Sequence, residues 1–112
     1  MDELRPRPGG GMTISFDFDE TFTAAPELFA SVMDVFRAAG WMVIVCTRRG
    51  DQRRPTAESV IDDRFAGSVP VVRARGIPKW QAAREAGFEV DVWVDDDPGS
   101  VLGMPNLIPR RS

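Results

Sequence analysis

The sequence predicts a single α/β domain, a three-layer α/β/α sandwich built on a mainly parallel sheet of about five strands. Three observations lead there. The chain has 112 residues, enough for one hydrophobic core and not for two. Apolar residues make up 43%, the proportion of a packed chain and not of a disordered one. Short apolar runs alternate with segments of helical period, the pattern of parallel strands joined by crossover helices.

Residues 1–11 (MDELRPRPGGG) hold two prolines and three consecutive glycines with little to bury, and read as a flexible tail ahead of one domain over 12–112. Thr13–Asp17 reads as a short strand. Pro26–Ala39 is an amphipathic helix, with Leu28, Phe29, Val32, Met33 and Phe36 at helical spacing and Gly40 as its stop. Trp41–Cys46 is wholly apolar, as buried parallel strands are. Thr56–Phe65 is a helix with Thr56 as its N-cap. Val69–Arg73 is a strand, and Pro70 places it at a sheet edge. Lys79–Ala86 is a helix opened by Pro78 and closed by Gly87. Val90–Val94 is a strand, and Asn106–Ile108 a short last one.

Composition excludes several chemistries. The longest apolar run is the six residues Trp41–Cys46, too short to cross a membrane as a helix. No apolar stretch follows Asp2 and Glu3, so no secretory signal is read and a cytoplasmic location is expected. The 14 basic and 17 acidic residues leave a formal charge of −3, which does not suggest a basic nucleic-acid module. One cysteine, Cys46, excludes an internal disulfide, and the absence of histidine excludes Ser-His, Cys-His and histidine-zinc chemistry. Acid–base work falls to carboxylates, to water or to Lys79, the only lysine beside thirteen arginines.

The notable polar residues collect at strand ends. Asp17 ends the first strand, Thr47 follows the second, Lys79 opens the helix after the third, and Asp95 and Asp96 follow the fourth. In a Rossmann-like parallel sheet these positions share the carboxyl edge, where such folds bind ligands. Each motif alone has an ordinary reading: Asp17-Phe18-Asp19 as a solvated turn, Thr47 as a turn cap, Lys79 as a surface lysine, Asp95-Asp96-Asp97 as an acidic turn. Each also has a chemical one. Two carboxylates at a strand end can divide nucleophilic attack from proton transfer. A hydroxyl and a lysine suit phosphoryl oxygens. Adjacent carboxylates suit a hard cation, Mg²⁺ above all.

The ordered set ISFDFDET, VIVCT, PKW and VWVDDDP resembles the haloacid dehalogenase-like hydrolase superfamily, over about Met12 to Ile108. A receiver domain places its lysine last, whereas Lys79 precedes the acidic strand end. The resemblance implies a phosphatase-type member. Asp17 would be the nucleophile that forms an aspartyl-phosphate, and Asp19 the acid and then the base. Thr47 and Lys79 would hold the phosphoryl group. Mg²⁺ would be bound by Asp17, the backbone carbonyl of Asp19 and Asp95, with Asp96 as a further or water-mediated ligand. The intervals Thr21–Thr47 and Thr47–Lys79 leave no room for a cap domain, so the site is expected to be open and suited to phosphate on a large substrate. The expected function is Mg²⁺-dependent phosphomonoester hydrolysis. The alternatives are a nucleic-acid-end phosphatase or nucleotidase, and a non-catalytic Mg²⁺-binding interaction module. Arg48, Arg49, Arg53 and Arg54 surround Asp51 after Thr47 and read either as a solvated loop or as a second anion contact, with Arg48 and Arg49 as the candidate substrate contacts. Cys46, Trp41, Trp80 and Trp93 read as core or boundary residues. Substrate and oligomeric state are not legible.

Overall fold

A computed structural model of the chain describes residues 11–103. The expected tail, Gly11 apart, and the expected strand Asn106–Ile108 lie outside the described residues. Four strands form one all-parallel sheet: β1 (Thr13–Phe16), β2 (Met42–Thr47), β3 (Val71–Arg73) and β4 (Val92–Val94), in the order β3-β2-β1-β4. Four helices accompany them: α1 (Pro26–Ala38), α2 (Ala57–Phe65), α3 (Lys79–Glu85) and α4 (Pro98–Leu102), with a 3₁₀ turn over Phe22–Ala24.

Strand alternation divides the core between the two faces of the sheet. Ile14, Phe16, Val43 and Val45 pack against Phe29, Ala30, Met33 and Phe36 of α1 and Ile61 and Phe65 of α2. On the other face Ile44, Cys46 and Val72 pack against Ala82 and Ala83 of α3, with Trp93 at the margin. Both faces are covered, so β2 reads as a continuous apolar run. Leu28, expected in the core, is 60% exposed. It stands at the margin of the stripe that Phe29, Val32, Met33 and Phe36 define. Trp80 is likewise exposed, while Trp41 lies edge-on to Phe36 with ring centroids 4.9 Å apart.

Several element ends differ from expectation for identifiable reasons. β2 runs on through Thr47, because Thr47 pairs with Arg73 and its carbonyl accepts from the amide of Ala74 at 2.8 Å. β3 starts only after Pro70, which has no N–H to give the ladder. β4 starts at Val92, because the Asp91 carboxylate takes the Thr13 amide at 2.8 Å where a strand carbonyl would otherwise do so. The sequence reading missed α4. Five residues are too few to display a helical period, and Pro98-Gly99 resembles a turn; Pro98 instead opens the helix. Gly103 closes it at φ +78, where a β-carbon would lie 2.5 Å from the Pro78 ring, so this close approach of α4 to the start of α3 requires glycine.

The strand order places the carboxyl edge of the sheet. From β1 the chain moves outward through β2 to β3, then returns to the opposite side of β1 as β4. Order reverses between β1 and β4, and such reversals open a crevice at the carboxyl ends of the strands. No helix among the described residues is long and apolar enough to cross a membrane.

Met33 is fully buried and Val35, two residues on, is 68% exposed. Urea unfolding should show Met33→Ala losing about 2–5 kcal/mol and Val35→Ala staying within about 0.5 kcal/mol. Equal losses would misplace the buried face of α1.

Candidate functional site

Asp17 is the first residue past β1. Its amide donates to the carbonyl of Val94 at 2.8 Å, so the β1–β4 pairing carries it to the edge of the sheet. There the chain turns back, with Glu20 at φ 64 and the Phe22 amide donating to the Asp17 carbonyl at 3.2 Å. The Thr21 hydroxyl donates to Asp17 Oδ2 at 3.3 Å.

Lys79, the first residue of α3, reaches across from the other face. Its Nζ lies 2.7 Å from Asp17 Oδ1 and 2.6 Å from Asp95 Oδ2. All three side chains are at least nine-tenths buried. Burial alone would lower the pKa of the ammonium, but the hydrogen bonds it donates to Asp17 and Asp95 outweigh this and Lys79 stays above the ordinary lysine value. Burial pushes the Asp17 carboxyl up, to about 7. Lys79 opposes the rise, and Asp95 and a hydrogen bond with Asp96 add to it. Asp95 is fixed from its other oxygen, which accepts the Asp97 amide at 2.8 Å.

Asp17, Asp95 and the exposed Asp96 each bring a carboxylate oxygen into one group, all within 4.8 Å of one another. An all-oxygen donor set of this kind suits a hard divalent cation. Both candidates left open by the acidic strand end, Asp95 and Asp96, belong to the group.

Asp19 stands apart from it. Its carboxylate accepts two hydrogen bonds from Arg49, the one from Nε at 3.2 Å. Arg53 lies 4.0 Å off. The Arg49 guanidinium also covers the Phe18 ring at 4.9 Å from its centroid and donates to the Pro55 carbonyl at 2.6 Å. Hydrogen bonding from Arg49 holds the Asp19 carboxyl below the usual range. Thr47 is buried, and its hydroxyl accepts the Arg49 amide at 2.9 Å, which leaves its own O–H as a donor. Arg48 and Arg54 are exposed. Cys46 lies in the core as expected, its thiol pushed up to about 12 by burial.

The sequence reading thus has Asp17, Lys79, Asp95 and Asp96 in one group, with Thr47 on the neighbouring strand. It did not foresee the Asp19–Arg49 pair, since thirty positions separate the two residues. Nor did it foresee the Arg73–Glu58 pair that ties the end of β3 to α2. Comparison with protein-family models, with curated proteins and with solved structures gives no match for this chain.

Lys79→Met leaves two buried carboxylates facing each other without their cation. In metal-free buffer at pH 8 it should cost about 3–5 kcal/mol, the usual consequence of breaking a buried pair. The loss should shrink toward pH 5. Asp17 has a raised folded-state pKa, so its own contribution is full below the unfolded value of 3.8 and is lost as pH rises through about 7. A loss independent of pH would separate Lys79 from Asp17. For Asp19 the sign is opposite. Its folded-state value is depressed, so the contribution of the pair holds above 3.8 and disappears as pH falls through the depressed value. In Arg49→Gln, a carboxyl NMR titration should find Asp19 shifted upward toward its ordinary value of 3.8. An unchanged titration would mean that Arg49 does not hold it.

Proposed function

We propose that this chain is a Mg²⁺-dependent phosphomonoester hydrolase that acts through an aspartyl-phosphate on Asp17, as a small, capless, Rossmann-like relative of the haloacid dehalogenase-like hydrolases. The observation that carries the reading is the buried Asp17–Lys79–Asp95 group at the end of the central strand, with Asp96 beside it. Such a group has little value as a stabilising device, since buried ion pairs seldom outperform apolar packing. It has a clear use where an anionic phosphoryl group must be brought against a carboxylate.

Mg²⁺ held by Asp17, Asp95 and Asp96 would neutralise the carboxylates and draw charge from the phosphoryl oxygens. A carboxylate oxygen of Asp17 attacks phosphorus, the ester P–O bond breaks, and the leaving oxygen takes a proton from Asp19. Water then gives a proton to Asp19 and attacks phosphorus, which releases phosphate and restores the Asp17 carboxylate. Lys79 and the Thr47 hydroxyl donate to the phosphoryl oxygens throughout. The Arg49 pair keeps Asp19 ionised in the free site, so the first proton transfer requires the negative charge of the bound phosphoryl group to raise Asp19 until it takes up a proton. The one short helix-and-turn segment after β1 and the single loop and helix after β2 leave space for a phosphate on a bulky carrier.

With 4-nitrophenyl phosphate and Mg²⁺, Asp17→Asn should lower kcat on the order of 10³-fold or more, the scale seen when a nucleophile is removed. Its far-ultraviolet dichroism should match that of the wild type. Mg²⁺ should raise the Tm of the wild type more than that of the variant. Hydrolysis that survives Asp17→Asn or excess chelator would refute the reading. A Tm shift by Mg²⁺ with no turnover of any phosphomonoester would favour the non-catalytic Mg²⁺-binding module.

A further inference from the structure

The loop after β2 and the loop after β3 flank an open cleft of about 270 Å³, with Thr47, Arg48, Arg49 and Asp51 on one side and Arg73 and Arg75 on the other. It opens beside Thr47, on the β2–β3 side of the acidic group. Its walls are small. Ala74 and two glycines contribute no bulk, and a β-carbon added at Gly50 or Gly76 would meet nothing within 4 Å.

The four arginines divide into two kinds. Arg49 and Arg73 are structural. Arg49 is held by Asp19, Arg73 by both oxygens of Glu58, and Arg73 Nη1 donates to the Arg49 carbonyl at 3.3 Å, which joins the two loops. Arg48 and Arg75 are exposed, one on each loop, and neither forms an ion pair with any of the described residues. Asp51 is the one carboxylate in the lining. Two arginines without an ion-pair partner among the described residues therefore line the cleft beside one carboxylate, one on each of its two loops. The chain as a whole is acidic, and the neighbouring centre is a group of aspartates.

We propose that this cleft is a second anion site, which takes a further phosphate carried by the same substrate whose phosphomonoester is placed at Asp17; the proposal rests on the hydrolase reading. Guanidinium groups from two loops offer planar, paired donors to phosphate oxygens, the geometry in which arginine exceeds lysine. Thr47 belongs to both places: it lines the cleft, and it lies on the strand beside β1. Relative to the sequence expectation, the site replaces Arg53 and Arg54 with Arg75, and Arg49 serves it as framework. The second phosphate is supplied either by a small bisphosphate or by the next phosphodiester of an oligonucleotide.

Steady-state kinetics with Mg²⁺ should compare adenosine 5′-monophosphate, adenosine 3′,5′-bisphosphate and a 5′-phosphorylated dinucleotide. Adenosine 3′,5′-bisphosphate, the dinucleotide or both should exceed the monophosphate in kcat/KM by roughly tenfold or more, the yield of one charge-assisted contact. Whichever shows the preference identifies the source of the second phosphate. In Arg48→Gln/Arg75→Gln the ratio should fall toward one. Calorimetry of adenosine 3′,5′-bisphosphate binding, which needs no turnover, separates the two claims. Binding that weakens about tenfold in the double variant supports the site, and if nothing is hydrolysed only the hydrolase reading falls. Hydrolysis of all three substrates with equal kcat/KM, and bisphosphate binding unchanged by the substitutions, would overturn the site and leave that reading in place.

Discussion

Lys79 holds its ammonium between Asp17 and Asp95 with hardly any access to water. The arrangement is demanding. A lysine stays charged in such surroundings only if carboxylates replace the water it has lost, and carboxylates stay ionised there only if a cation stands among them. Each of the three therefore depends on the others. They come from β1, from the start of α3 and from the end of β4, so the group also fixes how α3 sits over the sheet. A lysine at a helix N-terminus opposes the helix dipole by a few tenths of a kcal/mol. The burial of Lys79 against two acids accounts for its position, since the local cost is small beside the interaction it makes possible.

The sheet supplies the rest of the geometry. Parallel strands that reverse order beside β1 bring Asp17 and Asp95 to adjacent strand ends, although 78 positions separate them in the chain. Around this acidic centre the arginines form an outer layer. Arg49 closes on Asp19 and Arg73 on Glu58, and the link between the two binds the β2 and β3 loops into one wall. Charge is thus arranged in sequence from the centre outward: carboxylates with one buried cation, then paired arginines, then the exposed Arg48 and Arg75, which form no ion pair among the described residues. A substrate with one phosphate would meet the inner part of this series, and a substrate with two would meet all of it.

Much of this could be read from the sequence, and what could not has physical causes. Alternation and apolar runs located β1, β2, α1, α2 and α3, because burial on one or two faces leaves a direct mark on residue order. Pro70 marked β3 as an edge strand, and among the described residues it is one. Strand ends were less legible. Thr47 extends β2 through its pairing with Arg73, and the Asp91 carboxylate takes the Thr13 amide and shortens β4; neither depends on local propensity. α4 was too short to have a period. At the site, residues that sit at strand ends were visible because topology alone brings them together. Arg49 was visible only as one of several arginines in a loop. Its engagement with Asp19 and Phe18 depends on the path of the loop, which a sequence pattern does not encode.

The proposed chemistry depends on Asp17 as a carboxylate that would accept a phosphoryl group with the help of a cation held beside it. Trifluoroberyllate, a tetrahedral mimic of a phosphoryl group bonded to a carboxylate oxygen, tests this without any knowledge of the natural substrate. Fluorine NMR of the wild-type chain with beryllium fluoride should show a protein-bound resonance that requires Mg²⁺ and is absent in Asp17→Asn. A bound resonance that persists in Asp17→Asn, or the absence of one in the wild type at saturating Mg²⁺, would contradict the assignment of Asp17 as the nucleophile.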